Sequence, residues 1–306
     1  MTIVVSVQCS EGIVLAADSA VAISTSEERY VKLWTHAKKV SHVRDYNVGT
    51  LSWGLGALGY RTIQSLIYEF EVSPEYQPKP EQITRVGDKE IVNYRVEELA
   101  NQLFEFLSAK YWEIFDTDGY QPALGMLVAG YSHDSFEAEQ YRFEIPKNDH
   151  PERVNFNGKK VGLFYEGLRD AADRLILGAS DELALALSVA NLTEQQVDSV
   201  RGVLYDYYDS PKEGTKRRAK IDRLVDSISH RVPFQSFEAW RQVADIEVVH
   251  EGMPLQDGID LAIWIISTTI GRWRFGESKL LAGGEIDVAV ITHADYTWIK
   301  RKNWHN

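Results

Sequence analysis

Apolar residues fall along this chain in short unbroken blocks and in longer stretches spaced three and four apart, which predict strands and helices in turn. The first block is Ile3-Val4-Val5-Ser6-Val7. The polar segment Gln8-Cys9-Ser10-Glu11-Gly12 separates it from a second, Ile13-Val14-Leu15-Ala16-Ala17-Asp18. Two β-branched runs around a short segment ending in Gly predict an antiparallel hairpin. With the turn near Ser10, paired positions sum to about 20 or 21, which sets Thr2 opposite Asp18 at the open end. Both arms are apolar at nearly every position, so their sheet is expected to be covered on both faces.

Residues 19–26 read as a strand fraying into a loop, 30–36 are ambiguous, and 38–43 and 48–53 read as further short strands. After Gly54, Gly56 and Gly59, the residues Ile63, Leu66, Ile67 and Phe70 make one face of a helix over 60–71. The proline-rich, polar stretch 73–87 predicts a loop or surface insertion. Val96, Leu99, Leu103, Leu107, Tyr111 and Ile114 mark a second long helix. Strands follow at 123–131 and 140–145, the first entirely apolar and therefore central. A strand at 160–165 leads into a helix over 168–177, and 181–249 is mostly helical. A helix then begins after Met253, and strands at 285–292 and 297–300 close the chain. Nothing repeats and no linker divides the chain. This order predicts a single layered sandwich of sheets and helices over residues 1–306.

Composition narrows the function. At 306 residues, with 44% apolar and 25% charged residues, the chain can bury a sizeable core. Its net charge of -12 disfavours nucleic acid or an anionic membrane as a general partner. A single cysteine, Cys9, leaves no internal disulfide and fits a reducing compartment. No apolar run nears the roughly 18 residues of a bilayer span. No basic region precedes the first apolar block, as one would in a signal peptide. A cytoplasmic protein is expected. The eight histidines show no metal-ligand spacing, so no metal is assigned. The basic run 212–220 reads as a solvated helix face, with docking of an acidic partner as the alternative.

The opening Thr2 to Asp18, the segment Lys38-Lys39-Val40 and the Gly-rich turn into a helix resemble the N-terminal third of proteasome β-type subunits. Gly283-Gly284-Glu285-Ile286-Asp287-Val288-Ala289-Val290-Ile291-Thr292 is similar to that family's penultimate strand. Met253-Pro254-Leu255-Gln256-Asp257-Gly258-Ile259-Asp260-Leu261-Ala262 is similar to the helix leading there. The likeness covers about 2–72, 122–178 and 252–300 in the family's order, leaving 73–98 and about 180–250 as insertions. The bacterial ATP-dependent peptidase built of two six-membered rings is a second relative.

The resemblance implies the N-terminal-nucleophile hydrolase fold, an α+β four-layer αββα sandwich of two antiparallel sheets. It further implies a threonine peptidase in a homo-oligomeric ring, cutting peptides or unfolded protein without a cofactor, its ATPase partner unknown. Thr2 would be nucleophile and, once Met1 is removed, base through its α-amine, whose ordinary pKa of about 8 suits proton exchange near neutrality. Asp18 would hold Lys39, whose ammonium lowers the pKa of hydroxyl and amine alike. Gly54, in the turn matching the family's oxyanion-binding turn, would meet developing negative charge, although Trp53 stands where the family usually has Ala. The family's Asp-x-x-Ser before Gly-Gly is not matched. Lys279 and Ala282 occupy those positions, with Glu277 or Ser278 as substitutes, and Tyr165-Glu166-Gly167 replaces a Gly-Ser-Gly turn.

These departures give one alternative, a catalytically silent structural subunit; an amidohydrolase of the same fold acting on a small amide is a second. A third comes from Gly54-x-Gly56-x-x-Gly59, which follows a strand and opens a helix as a dinucleotide fingerprint does. The proline-rich polar stretch after that helix, and the hairpin before it, speak against a βαβ unit.

Overall fold

Two five-stranded antiparallel sheets carry the chain's larger unit. The computed structural model describes residues 2–24, 30–86, 89–176, 248–276 and 281–301. By its contacts the chain falls into two compact units, Met1–Ala172 with Glu247–Asn306, and Asp173–Ile246. The helical expectation for 181–249 lies, up to residue 247, outside the described residues, as does the basic run 212–220.

The strands are, in chain order, β1 (Ile3–Gln8), β2 (Ile13–Asp18), β3 (Val21–Ser24), β4 (Tyr30–Trp34), β5 (Val40–His42), β6 (Val48–Gly54), β7 (Ala57–Leu58) and β8 (Arg61–Thr62). They continue with β9 (Ile83–Val86), β10 (Lys89–Val92), β11 (Leu124–Tyr131), β12 (Ala138–Ile145), β13 (Glu152–Arg153), β14 (Gly162–Gly167), β15 (Ile286–Ile291) and β16 (Tyr296–Lys300). The helices are α1 (Ile63–Val72), α2 (Val96–Trp112), α3 (Asp170–Ile176) and α4 (Leu255–Gly276).

The first sheet runs β14-β1-β2-β15-β16 and the second β13-β12-β11-β6-β5. Helix α4 packs on β1 and β2 of the first sheet, burying Ile259, Ala262, Ile265 and Ile266. Helices α1 and α2 cover the second, where Leu66, Phe70, Leu103 and Leu107 meet Met126 and Phe143. Each such fully buried leucine contributes on the order of 1.5–3 kcal/mol. Between the sheets, Val4, Leu15 and Ala17 face Leu51, Trp53 and Leu127. The layers are helix, sheet, sheet, helix: an α+β αββα sandwich. Strands β1 and β2 are buried at every position because α4 lies on one face and the second sheet on the other.

Local chemistry sets the boundaries. Thr62 caps α1 by accepting from the Ser65 N–H through its side chain, and Pro74 follows the last turn closely. Helix α2 opens with Glu97 and Glu98 and carries Lys110 in its last turn, both signs favourable for its dipole.

Three expectations are corrected or made definite. The stretch 73–87 is not a plain loop: 3-10 turns at Pro74–Tyr76 and Pro80–Gln82 lead into a β9–β10 hairpin. The prolines start those turns, where a missing N–H costs nothing, and Arg85 lies directly opposite Glu90 at 2.6 Å. The ambiguous 30–36 contains β4, which pairs with β3. In the first hairpin, Cys9 N–H donates to Gly12 C=O, so pairs such as Val4–Ala17 sum to 21 and Asp18 falls opposite Ile3, one residue from Thr2.

Candidate active site

Asp18 closes the apolar run of β2, and its buried carboxylate collects four donors. Oδ1 accepts from the Ile3 N–H at 3.0 Å and from Lys39 Nζ at 2.6 Å. Oδ2 accepts from the Ala20 N–H at 3.2 Å and the Gly283 N–H at 3.1 Å. These four donors satisfy both oxygens of the buried carboxylate. Lys39 Nζ also donates to the Ala20 carbonyl at 2.6 Å. The Lys39 side chain is only 5% exposed. Burial pulls its pKa below the ordinary lysine value, and the Asp18 charge and hydrogen bond oppose that pull.

Thr2 precedes the residue whose N–H rests on Asp18, and it is 5% exposed. It shares a strand face with Val4, which packs between the sheets. Its carbonyl accepts from the Leu168 N–H at 2.7 Å. Gly167 approaches that carbonyl so closely that a Cβ there would lie 1.9 Å from the oxygen, and its φ of +97 is one that only glycine adopts freely. The segment replacing the expected Gly-Ser-Gly turn thus braces Thr2 through backbone. Beside it, Glu166 stands opposite Val4 and between Arg142 at 3.6 Å and Arg169 at 3.8 Å. Burial raises the Glu166 pKa, and the two arginines oppose the rise.

Lys39 reaches this point from the second sheet, where its carbonyl accepts from the Ser52 N–H at 3.0 Å. Gly54 lies two residues beyond, ending β6 with φ +78; a Cβ would sit 2.2 Å from the Ala123 carbonyl oxygen. Asp18, Lys39 and the start of β1 are therefore joined by direct bonds, and Gly54 stands at the same strand end, linked to Lys39 through Ser52. Trp53 turns the other way, into the layer between the sheets, 5.9 Å from Phe164. β6 is antiparallel to both β5 and β11, so Gly54, Gly56 and Gly59 do not form the first turn of a βαβ unit.

Glu277, Ser278 and Lys279 lie outside the described residues. Ala282 is buried, and its neighbour Gly283 donates to Asp18. Asp287 is a residue that reading the sequence missed. It sits on β15 opposite Ala17, 4% exposed, on the face carrying Ala289 and Ile291 between the sheets. Its signal was present as the one charge inside the apolar strand Ile286–Ile291. Among the described residues no cluster of His, Cys, Asp or Glu is placed to hold a metal ion, and no helix is long and apolar enough to cross a membrane. A separate cleft lined by Arg44, Tyr76, Tyr94 and Leu99 shares no residue with this site.

A sandwich with this layer order, in which Asp18 ties the start of β1 to a lysine beside the facing sheet, has the proteasome-like fold. Among solved structures it is similar to an Anbu Gly-1 mutant from Hyphomicrobium sp. strain MC1. That match has TM-score 0.54 and 12% identity, and covers 99% of this chain and 86% of that one. It is also similar to Anbu, described as an ancestral beta-subunit, from Yersinia bercovieri, at TM-score 0.52 and 14% identity, over 97% and 86% of the two chains. No family model and no curated protein matches the sequence. At these identities the likeness is one of fold.

Proposed function

We propose that this chain is a subunit of a proteasome-like assembly and a threonine peptidase, with Thr2 as its nucleophile once the bond before it is cut. One observation carries the reading: a single buried carboxylate, Asp18, binds both the Ile3 N–H next to Thr2 and the ammonium of Lys39. A threonine hydroxyl needs a base to attack, and the freed α-amine supplies one. The amine takes the hydroxyl proton as Oγ1 bonds to the substrate carbonyl carbon, and Lys39 favours the deprotonated forms of both groups. The amine then passes the proton to the leaving nitrogen as the C–N bond breaks, leaving an ester on Thr2 that water hydrolyses. Gly54 belongs to the turn proposed to receive the oxyanion. Peptides or unfolded protein are the substrate class, a homo-oligomeric ring the assembly, and the cytoplasm the location proposed.

Intact mass before and after a threonine-directed epoxyketone or β-lactone tests this. Loss of Met1 plus one adduct, both hydrolysis and adduct vanishing in an assembled Thr2→Ala variant, is the expected result. Unchanged peptide turnover in Thr2→Ala ends the mechanism. The buried Ala282, standing where the resemblance places a serine, favours one second reading, a silent structural subunit. Retained Met1 with no adduct is its signature.

A further inference from the structure

Asp18 divides its charge among three backbone N–H groups besides Lys39, at Ile3, Ala20 and Gly283. Lys39 is meanwhile buried, and its Nζ makes two hydrogen bonds, one to Asp18 and one to a neutral carbonyl. A buried ammonium compensated by one shared carboxylate is under strong pressure to lose its proton. The first sheet brings a second carboxylate to the same interior. Asp287 on β15 lies beside Ala17, the residue before Asp18, on the strand face turned to the sheet that carries Lys39.

We propose that Asp287 is a positioning residue: without touching Lys39, it supplies from β15 the second negative charge that keeps Lys39 an ammonium ion at the working pH. The inference rests on the proposed role of Lys39 beside Thr2. Its field acts on Lys39 in the direction required, raising the lysine pKa against the pull of burial. Burial raises the pKa of Tyr296 on β16, Arg301 opposes the rise and the Asp287 charge adds to it; the buried Tyr296 hydroxyl has no hydrogen-bond partner among the described residues. Among the described residues, the charged and titratable groups around the pair include His42 on β5, stacked on Tyr296 at 4.1 Å. Asp18 comes from β2, the α-amine that Met1 removal would free at Thr2 lies just before β1, and Tyr296 with Arg301 beyond it borders Asp287 from β16. Glu166 on β14 is held between Arg142 and Arg169. β6 brings no ionisable side chain, since it reads Val-Gly-Thr-Leu-Ser-Trp-Gly. With the charge at 287 removed, Asp18 remains as the carboxylate bonded to Lys39.

The sign of the effect follows. With Asp287 neutral, Lys39 gives up its proton at lower pH, and the form able to assist Thr2 disappears sooner on the alkaline side. The test is an NMR titration of 13Cε-lysine in the full chain, with Lys39 assigned by its loss in Lys39→Arg, comparing wild type with Asp287→Asn. The Lys39 midpoint is expected to move to lower pH in Asp287→Asn and to return in Asp287→Glu. The alkaline limb of kcat/KM for a peptide should move the same way. An unchanged or raised midpoint overturns the proposal, whatever the variant does to stability. Asp287→Ser replaces Asp287→Asn should the latter not fold. Because the titration needs no turnover, a wild type that titrates as expected but hydrolyses nothing and takes no epoxyketone adduct refutes the Thr2 reading, not this one.

Discussion

Two buried polar clusters join the same two sheets, and they are built on opposite principles. One is neutral and closed: Ser6 Oγ donates to Gln140 Oε1 at 2.9 Å, Gln140 Nε2 to Gln8 Oε1 at 2.8 Å, and Gln8 Nε2 to the Lys160 carbonyl at 2.7 Å. Each step matches one donor to one acceptor and ends on backbone. The other is charged and crowded: four donors on Asp18, a buried lysine held against its own desolvation, and a hydroxyl residue at the end of the strand beside it. A closed neutral chain stabilises one register of two sheets. A cluster that holds a charge in place where burial opposes it is the kind found where protons move.

The sharpest way to break the comparison is at Asp18. Asp18→Asn offers one oxygen where there were two, so two of its four donors face an NH2 group. Losing one partner of a buried ion pair costs on the order of 3–5 kcal/mol. Chemical denaturation should show that loss, and any folded fraction should lose peptide hydrolysis with it. A variant that keeps both stability and turnover would remove Asp18 from the centre of the site.

Gln140→Leu is the matching cut in the neutral cluster. It strands the buried Ser6 donor and Gln8 acceptor, for a loss of about 2–4 kcal/mol. Turnover per folded molecule should stay at the wild-type level, because no atom of this cluster contacts Thr2, Asp18 or Lys39 in the hydrogen bonds that define either group. Loss of activity in the folded Gln140→Leu protein would erase the distinction drawn between the two clusters.

The contrast also explains what could be read from residue order. The β1–β2 hairpin was legible because two β-branched runs flank a short turn, and α2 because Leu99, Leu103 and Leu107 repeat at helical spacing. Of the two registers that the pattern allowed, the turn closed by Cys9 and Gly12 selects the one with pairs summing to 21. That step decides whether Thr2 or Ile3 faces Asp18. Hairpin spacing already brought Thr2 and Asp18 together, whereas their roles, and the choice of Lys39 and Gly54, came from likeness to a family. The bonds among them join strands from two sheets, a relation no local pattern encodes. Asp287 and Gln140 were missed for the same reason: a polar residue in a strand looks solvent-facing until the opposite sheet is known to cover it.

The smallest expected effect is the most discriminating within the neutral cluster. Ser6→Ala removes one hydroxyl and leaves Gln140 Oε1 without that donor, while the Gln140–Gln8–Lys160 part of the chain persists. Such a loss costs about 1 kcal/mol. If the cluster acts as one unit, Ser6→Ala should cost nothing further in a Gln140→Leu background, because its partner is already gone. The coupling in that double-mutant cycle should then equal nearly the whole Ser6→Ala effect. Simple additivity would mean that Ser6 contributes through packing against the facing sheet alone, and that the inter-sheet register depends on the two glutamines rather than on the full chain of bonds.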